Sequence, residues 1–129
     1  ERVLDEIGPG TDLPRSELER LTGHVIDLAG LPPPRHEHPL PNERGRVGFV
    51  DRCWEEAMWI LEADGRRWHG RHHQMLADAD RILESQALGY ATTRLLWEHA
   101  RHDPSGTAVL LRAVYDQRVA VVAALRRFS

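Results

Sequence analysis

The sequence predicts an α/β domain, a mixed central sheet flanked by helices with a further helix at the C-terminus. Three observations carry this. Residues 57–64, Ala-Met-Trp-Ile-Leu-Glu-Ala-Asp, are apolar on both alternating faces, the mark of a central strand covered on each side. Stretches with apolar residues three and four apart lie before and after it. Glycines punctuate the ends of these stretches, at Gly30, Gly65 and Gly89.

In chain order, residues 1–15 contain Gly8-Pro9-Gly10 and Pro14 and read as a lead-in or linker segment. Residues 16–129 read as one domain, a length that suits a single core. Ser16 opens a helix to about Ala29, with Leu18, Leu21, Val25 and Leu28 on one stripe. Ser16-Glu17-Leu18-Glu19 has the form of a capping box. Three prolines, Pro32 to Pro34, follow. A strand is expected from Arg46 to Asp51 and the central strand from Ala57 to Asp64, paired antiparallel across the short link of residues 52–56. A helix from about Arg71 to Leu88 has the stripe Met75, Leu76, Ala79, Ile82 and Leu83. A strand from Tyr90 to Trp97 comes next, parallel to the central one because a helix connects them. Pro104-Ser105-Gly106 reads as a loop. The last helix, Thr107 to Phe128, shows a wide apolar face including Leu110, Val114, Val121, Leu125 and Phe128.

Composition removes several chemistries. All 17 basic residues are Arg, so no Walker A lysine, Schiff-base lysine or lysine general base exists in this sequence. Cys53 is the single cysteine, which excludes an internal disulfide and any CxxC zinc site and fits a cytoplasmic setting. No apolar run approaches the ~20 residues of a membrane helix. A net charge of −3 means that nucleic-acid binding requires a local arginine patch or a metal ion at an acidic site.

The candidate site is Asp51, Glu62-Ala63-Asp64-Gly65 and His69. Glu62 and Asp64, two apart on a strand, point to the same face. Asp51, ending the preceding strand, can lie across the hairpin from them. Three bare carboxylates so placed repel one another and favour a hard divalent cation, Mg2+ or Mn2+. His69 can serve as general acid or base, and Arg66, Arg67 and Arg71 can pair with phosphate. The bland alternative is a solvated strand end with solvated arginines. His99 and His102, three apart, could share a helix face toward zinc but have no third ligand at suitable spacing. His36 and His38 form another close pair; His72 and His73 open a helix near the site and read as solvated, with DNA contact as the alternative, and the four tryptophans read as core or site wall.

The run from Val50 to His69, with Asp51, Trp54, Glu56, Glu62, Asp64 and Gly65 in register, resembles the Vsr-like (very-short-patch-repair-like) branch of the PD-(D/E)XK endonuclease superfamily. Asp78, Leu88-Gly89-Tyr90, Arg94 and Trp97 extend the resemblance, which covers roughly residues 16–100. It implies a restriction-endonuclease-like αβββαβ core and hydrolysis of DNA phosphodiester bonds. By the same resemblance Asp51 and Glu62 would bind Mg2+, or Mn2+ in its place. Asp64 stands in the slot that usually holds Lys, so His69 is the implied assistant, and Glu19 matches the first-helix acidic residue. Arg94 would contact phosphate or pair with a site carboxylate. Arg52, Glu55 and the Asp80-Arg81 stretch depart from the family pattern. Vsr-like domains also occur appended to antitoxin-like regulators, so a non-cleaving nucleic-acid-binding module with a further N-terminal DNA-binding region is the second expectation. A partner-binding role, with the apolar face of the last helix as the interface, is the third.

Overall fold

A computed structural model describes residues 12–40, 47–67 and 72–128, with the side chains of residues 72–74 left out. The protein is mixed α/β. Helix α1 (Arg15–Ala29) precedes strand β1 (Phe49–Trp54), a 3-10 turn (Glu55–Ala57) and strand β2 (Trp59–Asp64). Helix α2 (His72–Ala87) then leads to strand β3 (Ala91–Leu96), a short helix α3 (Trp97–His102) and the long helix α4 (Pro104–Arg127). The three strands form one sheet in the order β1-β2-β3. β1 pairs antiparallel with β2, and β2 pairs parallel with β3. A single antiparallel bridge joins Arg35 to Cys53 on the outer edge of β1.

The two sheet faces differ in chemistry. One carries Val50 and Trp54 of β1, Trp59, Leu61 and Ala63 of β2 and Leu95 of β3, all buried. Together with Leu18, Leu21 and Val25 of α1 and Ala108 and Leu111 of α4, these form the apolar core. Trp54 stacks on Trp59 with ring centroids 4.9 Å apart. Their indole N–H groups donate to the Pro32 carbonyl (2.8 Å) and to Thr93 Oγ1 (2.9 Å), so neither is left unsatisfied. α4 clamps the 3-10 turn: Arg118 donates to the carbonyls of Ala57 and Met58, and the Tyr115 hydroxyl donates to Glu56 at 2.8 Å.

Helix ends follow local chemistry. Gly30 ends α1 at φ +66°, its N–H donating to the Asp27 carbonyl. Asp103 caps α4 by accepting from Gly106 N–H, with Pro104 in the first turn. The sequence Pro104-Ser105-Gly106, expected as a loop, is therefore helix. The expected capping box at Ser16 is not formed: α1 starts one residue earlier, Pro14 takes the cap position without a side-chain bond, and Glu17 pairs with Arg20 instead.

Two apolar faces lie elsewhere than expected. On α4, Leu110 and Leu125 are largely exposed and Ala108, Leu111 and Val122 are buried. Apolar residues run almost all round this helix, so periodicity alone cannot choose the inward side. On α2 the reversal is fuller. Met75, Leu76 and Leu83 are exposed, while Asp78, Arg81 and Ser85 face inward. The reason lies beneath that helix, where the second sheet face is ionic.

Candidate functional site

Strand register builds that face. Asp51, Glu62 and Arg94 are direct neighbours in one row across β1, β2 and β3, and Phe49, Asp64 and Leu96 form the next row. Residues opposite one another on paired strands share a face, with Cβ atoms about 5 Å apart in an antiparallel pair. Asp51 was expected at a strand end; it is the third residue of six, since β1 runs on to Trp54 through Arg52 and Cys53. The site therefore lies on the sheet's face, under α2, and not at its edge.

Glu62 and Asp64 are both 0% exposed. Burying a charge in this way is tolerable only with a hydrogen-bonded partner, and arginines supply it. Glu62 receives Arg94 on Oε1 at 3.0 Å and Arg81 on Oε2. Asp64 is gripped by Arg66 in a fork, Nε to Oδ1 and Nη2 to Oδ2, each 2.9 Å, and also accepts the Arg66 backbone N–H. The same guanidinium reaches Asp78 of α2 at 2.6 Å. Burial pulls the Arg66 pKa down, but the bonds and charges of Asp64 and Asp78 outweigh it and the net shift is upward. The Phe49 ring lies close to all three guanidiniums, 4.3 Å from Arg66, 5.8 Å from Arg81 and 5.1 Å from Arg94.

This arrangement changes the expected electrostatics. The acidic cluster is not bare: Glu62, Asp64 and Asp78 are matched by Arg66, Arg81 and Arg94, three carboxylates against three cations. Mutual repulsion of the carboxylates therefore does not by itself demand a metal. Arg66, expected to meet phosphate, is a buried structural clamp instead. Arg67 is half-buried, with its guanidinium 5.1 Å above the Trp97 ring and its backbone N–H bonded to Asp12. Arg94 takes the carboxylate-pairing role. Glu19 is exposed on α1, and its charge acts on Arg52, whose pKa is lowered chiefly by burial. Arg52 belongs to the opposite sheet face, so Glu19 is not brought to Asp51 and Glu62. His69 and Arg71 lie outside the described residues.

Four participants were not picked out for this role by the sequence: Phe49, Asp78 as an ion-pair partner, Arg81 and His38. The His38 side chain is 1% exposed. Its Nδ1 accepts from Leu40 N–H at 3.0 Å. Nε2 lies 3.2 Å from Arg81 and 3.8 Å from Glu62. Only the three prolines and a turn mark this segment in the sequence, so nothing there announces that the ring folds inward.

The site can hold a divalent ion in one way. Among the described residues no group of three or more His, Cys, Asp or Glu is arranged around a metal position. Mg2+ is commonly held by one or two carboxylates, completed by water and substrate phosphate. Asp51 and Glu62, adjacent on one face, supply two carboxylates of that type, but arginines take both oxygens of Glu62 as Arg66 takes both of Asp64, so an ion reaches Glu62 only where an arginine gives way. His99 is engaged otherwise, its Nδ1 accepting from Leu96 N–H at 3.2 Å.

Cys53 faces the same side, beside a cavity of about 550 Å3 lined by Arg35, His38 and Tyr90. Burial raises its thiol from 9.0 to about 11. A raised folded-state pKa adds stability below pH 9, and that stability is lost as pH climbs from 9 to 11. Wild-type protein is expected to lose stability more steeply across this window than Cys53→Ala, measured by urea unfolding at stepped pH. Equal slopes would contradict the buried thiol.

Comparison of the chain with family models, curated proteins and solved structures finds no match. No helix among the described residues is long and apolar enough to cross a membrane.

Proposed function

We propose that this is a metal-dependent DNA endonuclease domain of the Vsr-like kind, with Asp51 and Glu62 as its metal pair. One observation carries the reading: these two carboxylates, which the motif resemblance selects, are direct register partners on one sheet face. The order α1, β1, β2, α2, β3 is one strand short of a restriction-endonuclease-like αβββαβ core, and the Arg35 bridge lies on the β1 edge where a further strand would add.

When bound, Mg2+ or Mn2+ would polarise the scissile phosphate and lower the pKa of the attacking water. Asp51 and Glu62 hold the ion. Arg66, through Asp64 and Asp78, fixes the end of β2 and the approach of α2, and so keeps Glu62 in place. Arg94 lies in the same row and can orient a phosphate oxygen. His69 accepts or donates a proton at a ring nitrogen. Asp64 acts as an anchor for Arg66 and not as a ligand.

The test is nicking of supercoiled DNA with Mg2+ or Mn2+. Asp51→Asn is expected to slow it at least about 100-fold, with unchanged far-UV circular dichroism. Undiminished cleavage in Asp51→Asn would overturn the assignment.

A second reading has its own observation. Arg81 and Arg94 engage both oxygens of Glu62, so charge balance is met without a metal. A non-cleaving nucleic-acid-binding module of antitoxin-like kind would look the same. It predicts salt-sensitive DNA binding that survives EDTA, with no cutting.

A further inference from the structure

The three guanidiniums of the ionic face are not held alike. Arg66 is 6% exposed in its side chain and makes short paired bonds to Asp64 and Asp78. Arg81 is 5% exposed and is wedged between Glu62 and His38. Arg94 is 22% exposed, and its contacts are spread over three carboxylates: Glu62 at 3.0 Å, then Asp64 and Asp78 at 3.4 Å each. Beside it opens a hollow of about 530 Å3, lined by Met75, Asp78, Ala79, Ile82 and Leu96. Of these three cations, Arg94 is the least firmly held and the one with room to leave.

It also occupies the oxygen that matters most. Glu62 Oε1 takes Arg94, and Asp51 is the other neighbour in that row. A divalent ion held by Asp51 and Glu62 would compete with the Arg94 guanidinium for the same carboxylate, since both are positive. Turning Arg94 out into the hollow removes one positive charge and uncovers Oε1 together. Two carboxylates of the Glu62, Asp64 and Asp78 set then remain matched by Arg66 and Arg81, and the third is open to a new cation.

We infer that Arg94 is an internal counterion in competition with the divalent cation at Glu62, so that metal binds as Arg94 swings into the hollow between α2 and β3. This deepens the nuclease reading and rests on it. The coupling is reciprocal: whatever draws Arg94 outward tightens the metal, and the metal drives Arg94 outward. A phosphate group presented at the hollow suits this task, since a guanidinium freed from one carboxylate can make the same forked bonds to phosphate oxygens.

The experiment is direct Mn2+ binding, read by the electron paramagnetic resonance of free Mn2+, without DNA and without any activity measurement. Arg94→Gln is expected to bind Mn2+ at least about tenfold more tightly than wild type, because one unit of nearby positive charge has gone. Adding Asp51→Asn to Arg94→Gln is expected to abolish that gain. Arg112→Gln, in an exposed pair with Asp116 on α4, is expected to leave binding unchanged. Should Arg94→Gln fold poorly, Arg94→Lys, a point charge unable to span Glu62 and Asp64 together, is expected to bind with intermediate strength. The rise in melting temperature on adding Mn2+ then serves as a second readout. Equal affinity in wild type and Arg94→Gln, with binding lost in Asp51→Asn, overturns the competition and leaves the metal pair standing. No Mn2+ binding in any of these proteins overturns both.

Discussion

Replacing Arg66 with Ala is expected to destabilise the protein by about 3–5 kcal/mol, the typical cost of removing one partner of a buried ion pair. Both oxygens of Asp64, which is fully buried, lose their guanidinium, and Asp78 loses the same partner. Two carboxylates are then held between β2 and α2 with Arg94 near both, at 3.4 Å. At this chain length the loss corresponds to roughly 10–20 °C in melting temperature. The damage should fall on α2 first, because that helix turns its polar side to the sheet and lacks an apolar face there to hold it. Arg66→Lys is expected to recover little, since one ammonium cannot make the fork to Asp64 and also reach Asp78. Thermal unfolding followed by circular dichroism decides the matter. A change under about 1 kcal/mol would show that water takes over the guanidinium's role.

The apolar half of this fold is legible in the sequence, and its ionic half is not. Trp59 to Asp64 declares itself as a central strand because both of its faces are covered, one by α1 and α4 and the other by α2. Glycine and proline chemistry marks the end of α1 at Gly30 and of α2 before Gly89. The pairing of Asp51 with Glu62 follows from period-two alternation across a short connection. The error in β1, placed to end at Asp51, arises at Arg52 and Cys53. Arg52 is buried with its guanidinium donating to the Asp51 carbonyl, so a charged residue there continues the strand where charge suggests a break.

The orientation of α2 was missed for a related reason. Hydrophobic periodicity assumes that the inward side is the apolar side. Here the sheet beneath presents Glu62, Asp64 and Arg94, and Asp78 and Arg81 on the helix answer them. Met75, Leu76 and Leu83 are left outside as a consequence. Their spacing gives a clean helical stripe, but the stripe reports the helix and not its direction. Arg66, two residues from Asp64 and twelve from Asp78, reads as surface until the fold places both around it. Long-range ion pairs leave no periodic trace. His38 is the same case in a loop.

Glu62→Gln is the second large expected effect, and it separates the two functional readings. The substitution keeps shape and removes one buried negative charge, leaving Arg81 and Arg94 short of a counterion. Stability is expected to fall by about 3 kcal/mol or more, and cleavage to disappear. On its own this result serves a metal ligand and a purely structural anchor equally well. Coupling with Arg81 tells them apart. In Glu62→Gln with Arg81→Gln the internal charges balance again, and part of the lost stability should return, a coupling of about 1–3 kcal/mol for groups in one network. If the carboxylate serves only the ion-pair network, DNA binding in EDTA should return along with stability. If it holds the divalent ion, the doubly substituted protein regains its fold but neither Mn2+ binding nor nicking. The carboxylate then does two things at once, anchoring a helix through Arg81 on one oxygen and serving the metal on the other. The row Asp51, Glu62, Arg94 would permit that division of labour, since Arg81 approaches Oε2 from α2 while Oε1 takes Arg94 of β3.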